Sequence, residues 1–153
     1  MGTRATIGLY IADVADEFRN SLCRGAFSAA KEEDVSLLVF PGKYLRRHCQ
    51  EDSGQICEYQ HNTFYSYCYE EGIALAVVNM GSMLCRADNG KIRSEFLKRF
   101  REIPVLAVAS DEDSCSYIKY DNRTGIRDAV RFLCREKRCS HIAMAVSGAG
   151  NTK

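Results

Sequence analysis

Thr6-Ile7-Gly8-Leu9-Tyr10-Ile11-Ala12-Asp13-Val14-Ala15-Asp16-Glu17-Phe18 is the stretch whose reading decides the fold. An apolar run of β-formers stops at Asp13, and a polar turn holding one large aromatic, Phe18, follows. Phe18, Leu22, Ala26, Ala29 and Ala30 then recur at three- and four-residue spacing, which is the period of a helix with one apolar face. Strand, loop and helix in that order make the first half of a βαβ unit. In open parallel sheets the loop behind such a strand is where ligands are held.

The same alternation continues downstream. Residues 35–40 read as a second strand stopped by Pro41-Gly42, and the polar, weakly patterned residues 43–58 as a surface loop. A helix is predicted from about Tyr59 to Glu71, ended by Gly72. Residues 73–80 form a third strand, turned by Gly81-Ser82. Asp88-Asn89-Gly90 lead into a helix bearing Ile92, Phe96, Leu97 and Phe100. Residues 104–109 are a fourth strand with Pro104 at its start, where no ladder donor is needed. Residues 111–114 read as a turn and 115–120 as a short strand. Asp121-Asn122 then cap a helix whose apolar face is Ile126, Val130, Leu133 and Cys134, and residues 141–146 are a last strand. This order predicts an α/β fold, an open parallel sheet flanked by helices on both faces, in the manner of a Rossmann-like lobe.

The residues that carry this pattern resemble the lactose/galactose-repressor (LacI/GalR) type of periplasmic-binding-protein-like domain. Its first strand and helix read T-I-G-L-hydrophobic-x-D-I-x-N-P-F-F followed by R-G and A-A, as residues 6–18, Arg24-Gly25 and Ala29-Ala30 do in part. Tyr120-Asp121-Asn122-Arg123-Thr124-Gly125 resembles its V-D-N-x-x-G segment, and His141-Ile142-Ala143-Met144 its R-I-A-F strand. Residues 72–78 and Ile103-Pro104-Val105-Leu106 resemble two further strands, and Phe40-Pro41-Gly42-Lys43-Tyr44 a subgroup coupled to GGDEF-type diguanylate cyclase or kinase output. The resemblance implies a truncated domain: residues 1–120 as the first lobe, and 121–153 as hinge, helix and first strand of a second. It implies a sensor in a transcriptional regulator or signalling protein, a homodimer with its output domain elsewhere in a longer protein; a cytoplasmic location is expected from the lack of a signal-peptide core. A sugar-like or other small polar ligand would lie between the lobes, with hinge closure as the signal.

Composition fits that reading. The 153 residues are 46% hydrophobic and 27% charged, with a net charge of +1, so no basic surface for nucleic acid is indicated. Arg131, Arg135, Lys137 and Arg138 fall at a helix end, where cations favour the dipole. No run reaches the roughly 18 apolar residues of a membrane span, and the start lacks a signal-peptide core. No cofactor is called for. The eight cysteines form no Cys-x-x-Cys pair, which points to neither a redox motif nor a zinc ribbon; Cys23, Cys68 and Cys134 fall in apolar helical patterns. His48, Cys49, Cys57 and His61 are the one set resembling metal ligands, and their spacing is too irregular for zinc. Tyr59, Phe64, Tyr65, Tyr67 and Tyr69 crowd one segment without the interleaved cations of a nucleic-acid ladder, so most of these rings are expected to cover the sheet.

By position at strand ends, the candidate ligand-binding residues are Asp13, Asp16, Phe18, Lys43, Asn79, Ser82, Ser110 and Asp121. Phe18 matches the family's first aromatic, which the resemblance implies would stack on a ligand; a helix-start staple against the core is the equal alternative. Glu17 and Arg19 depart from the family's proline and second aromatic, which opens the site to a charged or more polar ligand. Asp13 ends a strand and can equally satisfy loop amides alone. Asp16 and Glu17 read as partners of the helix dipole, and Asp121 with Asn122 as cap and hinge rather than ligand contacts. No nucleophile–base pair or acid/base dyad is visible, so a non-enzyme is expected. The alternative is a flavodoxin-like or nucleotide-binding α/β enzyme domain, which would need a phosphate loop at residues 12–17, a stretch without glycine. A secreted solute-binding protein is the third class, disfavoured by the cysteines. With scattered thiols, titration in denaturant without reductant is expected to find all eight free, and elemental analysis no stoichiometric zinc.

Overall fold

The computed structural model describes residues 4–45, 58–69, 72–84, 90–100, 102–110 and 112–145. Strands β1 (Thr6–Ala12), β2 (Ser36–Gly42), β3 (Ile73–Asn79), β4 (Val105–Val108) and β5 (Ser116–Ile118) form one sheet, ordered β2-β1-β3-β4-β5. Every pairing is parallel. Helix α1 (Glu17–Glu32) joins β1 to β2 and packs against β2. A 3-10 helix (Glu58–Tyr69) precedes β3. Helices α2 (Met80–Met83) and α3 (Gly90–Leu97) precede β4, with α3 running into a 3-10 turn (Lys98–Phe100), and α4 (Asn122–Arg135) follows β5. Two units divide the chain, Met1–Lys119 with the sheet and Tyr120–Lys153 with α4.

The strand order puts helices on both faces. From β1 the chain crosses one way to β2, then back over β1 to β3 and onward to β4. Parallel crossovers are right-handed, so opposite directions of travel require opposite faces. The α/β open sheet expected from the alternation is the fold observed.

One face carries an aromatic core. Tyr10, Ala12, Ala76, Val78 and Ala107 point to it from three adjacent strands and meet Tyr65, Phe96 and Phe100 from the helical segments. The Tyr10 ring is fully buried. It stacks on Phe40 with centroids 4.5 Å apart and planes 3° from parallel, and takes Phe100 edge-on at 4.9 Å. Tyr65 and Phe100 in turn meet Phe96 edge-on at 5.6 and 5.4 Å. Edge-on geometry sets the positive ring edge against the negative face, adding about 0.5–1.5 kcal/mol per pair to simple burial. Leu9 and Ile11 alternate to the other face and are buried there.

Several sequence expectations are refined. The aromatic segment is a 3-10 helix, not an α-helix. With three residues per turn its side chains fall into rows, and Tyr65 is fully buried while Phe64 and Tyr67 stay about half exposed. Gly72 has φ of +108°, the backbone shape a glycine permits as the chain enters β3. The fourth strand is shorter than expected: Ala109 turns to φ of +59°. Pro104 lies before it, with its carbonyl accepting from the Ala76 N–H at 2.9 Å. The last expected strand is not formed. His141 to Ala145 are exposed and carry no strand, because a strand needs a ladder partner and the described residues of the second unit contain only α4. Cys23, Cys115, Cys134 and Cys139 are free thiols.

Gly42 ends β2 directly against the Tyr65 ring, where any Cβ would collide with the ring carbons and hydroxyl. Gly42→Ala is therefore expected to destabilise the fold by about 1–3 kcal/mol, the usual cost of overpacking. Tyr65→Leu alone should also destabilise. In the double variant the two losses should not add when measured by denaturant unfolding, because the smaller side chain vacates the clash.

Candidate ligand site at the C-terminal edge of the sheet

The order of the strands reverses direction at β1, which has β2 on one side and β3 on the other. Loops leaving β1 and β3 therefore part in opposite directions and open a crevice at their C-terminal ends. Asp13 lies at this point with φ of +55°, a left-handed conformation that aspartate tolerates better than most residues. Its N–H donates to the Gly42 carbonyl at 2.9 Å, pinning the loop to the end of β2.

The Asp13 carboxylate joins two cations. Oδ1 accepts from Lys43 Nζ and Oδ2 from the Arg19 guanidinium, each at 3.2 Å. All three side chains are one-third exposed or less, so the charges are partly shielded from water. Burial works against the charge on Arg19. A hydrogen bond and charge interaction with Tyr44, and the charges of Asp16 and Asp13, outweigh it and lift the guanidinium above its ordinary pKa. The guanidinium also lies 5.9 Å from the Tyr44 ring centroid. Arg19 was legible only as a departure from the family pattern; three residues after a capping Asp, it is placed to reach back over the loop.

Lys43 is positioned by its backbone. Its N–H donates to Asn62 Oδ1 at 2.8 Å, and Asn62 Nδ2 donates to the Tyr44 carbonyl at 2.9 Å. The Tyr65 hydroxyl donates to the Lys43 carbonyl at 3.2 Å. Burial pushes that hydroxyl well above the ordinary phenol range, so it remains a donor. Asn62 was missed by the sequence reading, since nothing local distinguishes it from a surface amide.

The other candidates divide. Asp16 caps α1, its Oδ1 accepting from the Arg19 N–H at 3.1 Å. Phe18 is 60% exposed, so its ring is not part of the core and the staple alternative falls away. Asn79 and Ser82 are buried and knit β3 to β1. Asn79 Oδ1 accepts from the Ser82 N–H at 3.1 Å, and Ser82 Oγ donates to the Asn79 carbonyl at 2.9 Å and accepts from the Ala12 N–H at 3.1 Å. Asn79 Oδ1 and Ser82 Oγ are thus committed to backbone groups. Ser110 donates to Glu112 Oε1 at 3.0 Å, and that carboxylate pairs with Arg93 at 2.9 Å. Glu112, read as part of a turn, is instead among the few buried acids. Asp121, where the second unit begins, caps α4 through the Thr124 N–H at 2.9 Å.

The structure thus brings Asp13 and Lys43 together directly, with Asp16 joined through its N–H to the Asp13 carbonyl at 3.1 Å. Asn79 and Ser82 are tied to the same place through Ala12, whereas Ser110 belongs to a separate polar group. Among the described residues no three His, Cys, Asp or Glu side chains could hold a metal; His48, Cys49 and Cys57 lie outside the described residues. No described helix is long and apolar enough to cross a membrane. Comparison with protein families, curated proteins and solved structures gives no match.

Hydrogen bonds from the Thr124 backbone and hydroxyl hold the Asp121 carboxyl below the usual carboxylate range. Its support for α4 is therefore complete above the unfolded carboxylate value of about 4 and is lost as pH falls through the lowered folded value. Asp121→Asn should remove this acid dependence, read from the pH titration of the Thr124 amide signal. Asp16→Ala should cost about 1 kcal/mol of stability by uncapping α1.

Proposed function

We propose that this chain is a small-molecule-sensing domain that binds a sugar-like or other small polar ligand at the C-terminal edge of its sheet. The observation that carries the reading is the Asp13 carboxylate held between Arg19 and Lys43 at the crevice; the exposed Phe18 belongs to the first turn of α1, which follows the same loop. A carboxylate flanked by fixed cations offers acceptors and donors in one small area, which is what vicinal hydroxyls require. The exposed Phe18 on the helix that follows would supply a face for the apolar side of a ring. The resemblance to LacI/GalR-type domains supports the same assignment. It brings with it closure of a second lobe over the ligand, a homodimer in the cytoplasm, and an output domain elsewhere in the protein. Binding would shift such a hinge only by its preference for the closed state.

The strand order is also that of flavodoxin-like domains, which keeps a nucleotide-using enzyme as the second reading. The β1 loop has no glycine whose backbone could approach a phosphate closely. The sensor reading needs no such loop.

Thermal-shift screening of the native protein against neutral monosaccharides, sugar acids and nucleotides tests the proposal. A monosaccharide or sugar acid is expected to raise the melting temperature. By titration calorimetry, Phe18→Ala should then weaken that ligand by about 1–2 kcal/mol if the ring stacks on it. Stability should fall by much less than the roughly 3–5 kcal/mol of a core Phe→Ala change. A response confined to nucleotides, or unchanged affinity in Phe18→Ala, would overturn the reading.

A further inference from the structure

The opposite edge of the sheet, where strands begin, holds a cavity of about 500 Å³. Its origin is topological. Parallel neighbours normally need a connection of about a dozen residues or more, usually with a helix that covers the gap. Between β4 and β5 there are only residues 109–115, and the described ones form no helix. The starts of both strands are left open beside the end of α3.

The walls of this gap differ in character. Leu97, Phe100, Ile103 and Val105 make an apolar floor, continuous with the aromatic core through Phe100. Ser94 and Lys98, one helical turn apart, line one side, and Ser114, Cys115 and Ser116 line the other. Among the described residues no carboxylate lines the cavity. Asp113, next to Ser114, is exposed and is not among the lining residues, and Glu112 is held by Arg93 and Ser110. Burial and the charge of Glu112 push the Cys115 thiol up, so it meets the cavity as a neutral group and leaves Lys98 as the lining charge.

We propose that this cavity is a second ligand site, for a small organic anion with an aryl or aliphatic body. The body would rest on Leu97, Phe100, Ile103 and Val105, and the anionic head against Lys98 and the serine hydroxyls. The volume is within the range of about 300–1,000 Å³ typical of small-molecule pockets, and the lining is divided about evenly between apolar and polar groups, as an amphipathic ligand requires. It lies at the N-terminal ends of β4 and β5, away from Asp13 at the C-terminal end of β1, so the two sites are separately testable.

The probe is 8-anilinonaphthalene-1-sulfonate, an aryl body with one anionic head, titrated by fluorescence into the native protein. Saturable one-to-one binding is expected, weakened at least tenfold by Lys98→Glu and abolished by Ser114→Trp, which blocks the rim from an exposed position. Thermal melts of both variants should match the parent, and Asp13→Asn should bind the probe unchanged. Independently, the probe should slow alkylation of Cys115 by iodoacetamide, read by peptide mass spectrometry, while leaving Cys23 unaffected. Non-saturating binding, or parent-like binding in both cavity variants with Cys115 unprotected, would overturn the proposal.

Discussion

The stacking of Tyr10 on Phe40, with Phe100 at its edge, is the contact on which the rest of the first unit depends. β1 is a central strand, and Tyr10 is in the middle of its helical-segment face. Whatever fixes that ring fixes β1 against β2 on one side and against the 3-10 helix and α3 above. Tyr65, Phe96 and Phe100 then pack edge to face around it. Rings in this arrangement have defined orientations, so the core specifies positions and not only burial. The small residues on the same face, Ala12, Ala76 and Ala107, leave room for them.

The geometry of the crevice follows from this core. Tyr65 reaches over Gly42 to the Lys43 carbonyl and, with Asn62, fixes the backbone from which the Lys43 side chain returns to Asp13. On the other side, Ser82 binds the Ala12 N–H immediately before Asp13. The Asp13 carboxylate is thus located by β2 and β3 together, and its two cations come from the start of α1, six residues on, and from the end of β2, thirty residues on. A side chain positioned in this way by packed strands has little conformational freedom left to lose.

Polar groups at the two edges of the sheet are spent differently. At the C-terminal edge Asn79, Ser82 and Asp16 satisfy backbone donors, while Asp13, Arg19 and Lys43 form a partly exposed charged cluster. At the N-terminal edge a missing crossover helix leaves serine hydroxyls and Lys98 around an apolar floor. The first arrangement suits a hydroxylated ligand and the second an amphipathic anion. The difference arises from connection length rather than from any motif.

Residues 6–30 determined a great deal by themselves. Period two changing to period 3.6 across Asp13 specifies strand, loop and helix, and repetition of that alternation specifies a parallel sheet, since short-range periodicity reports which face each residue buries. Capping by Asp16 and Asp121 was equally local, because a cap is made with an amide three residues on. What the sequence left open depends on residues brought together from a distance. Nothing near Asn79 or Ser82 says that Asn79 Oδ1 and Ser82 Oγ will bind each other's backbone and Ala12, and nothing near Glu112 says that it will be buried against Arg93. Residues 141–145 have the composition of a strand and form none, since a strand exists only with a partner to accept its hydrogen bonds. Whether Phe18 was core or rim was also undecidable from spacing, because a helix's first turn can point either way. Only the packing of β1 between its neighbours decided that the ring is exposed, and that Asp13 is shared by two cations.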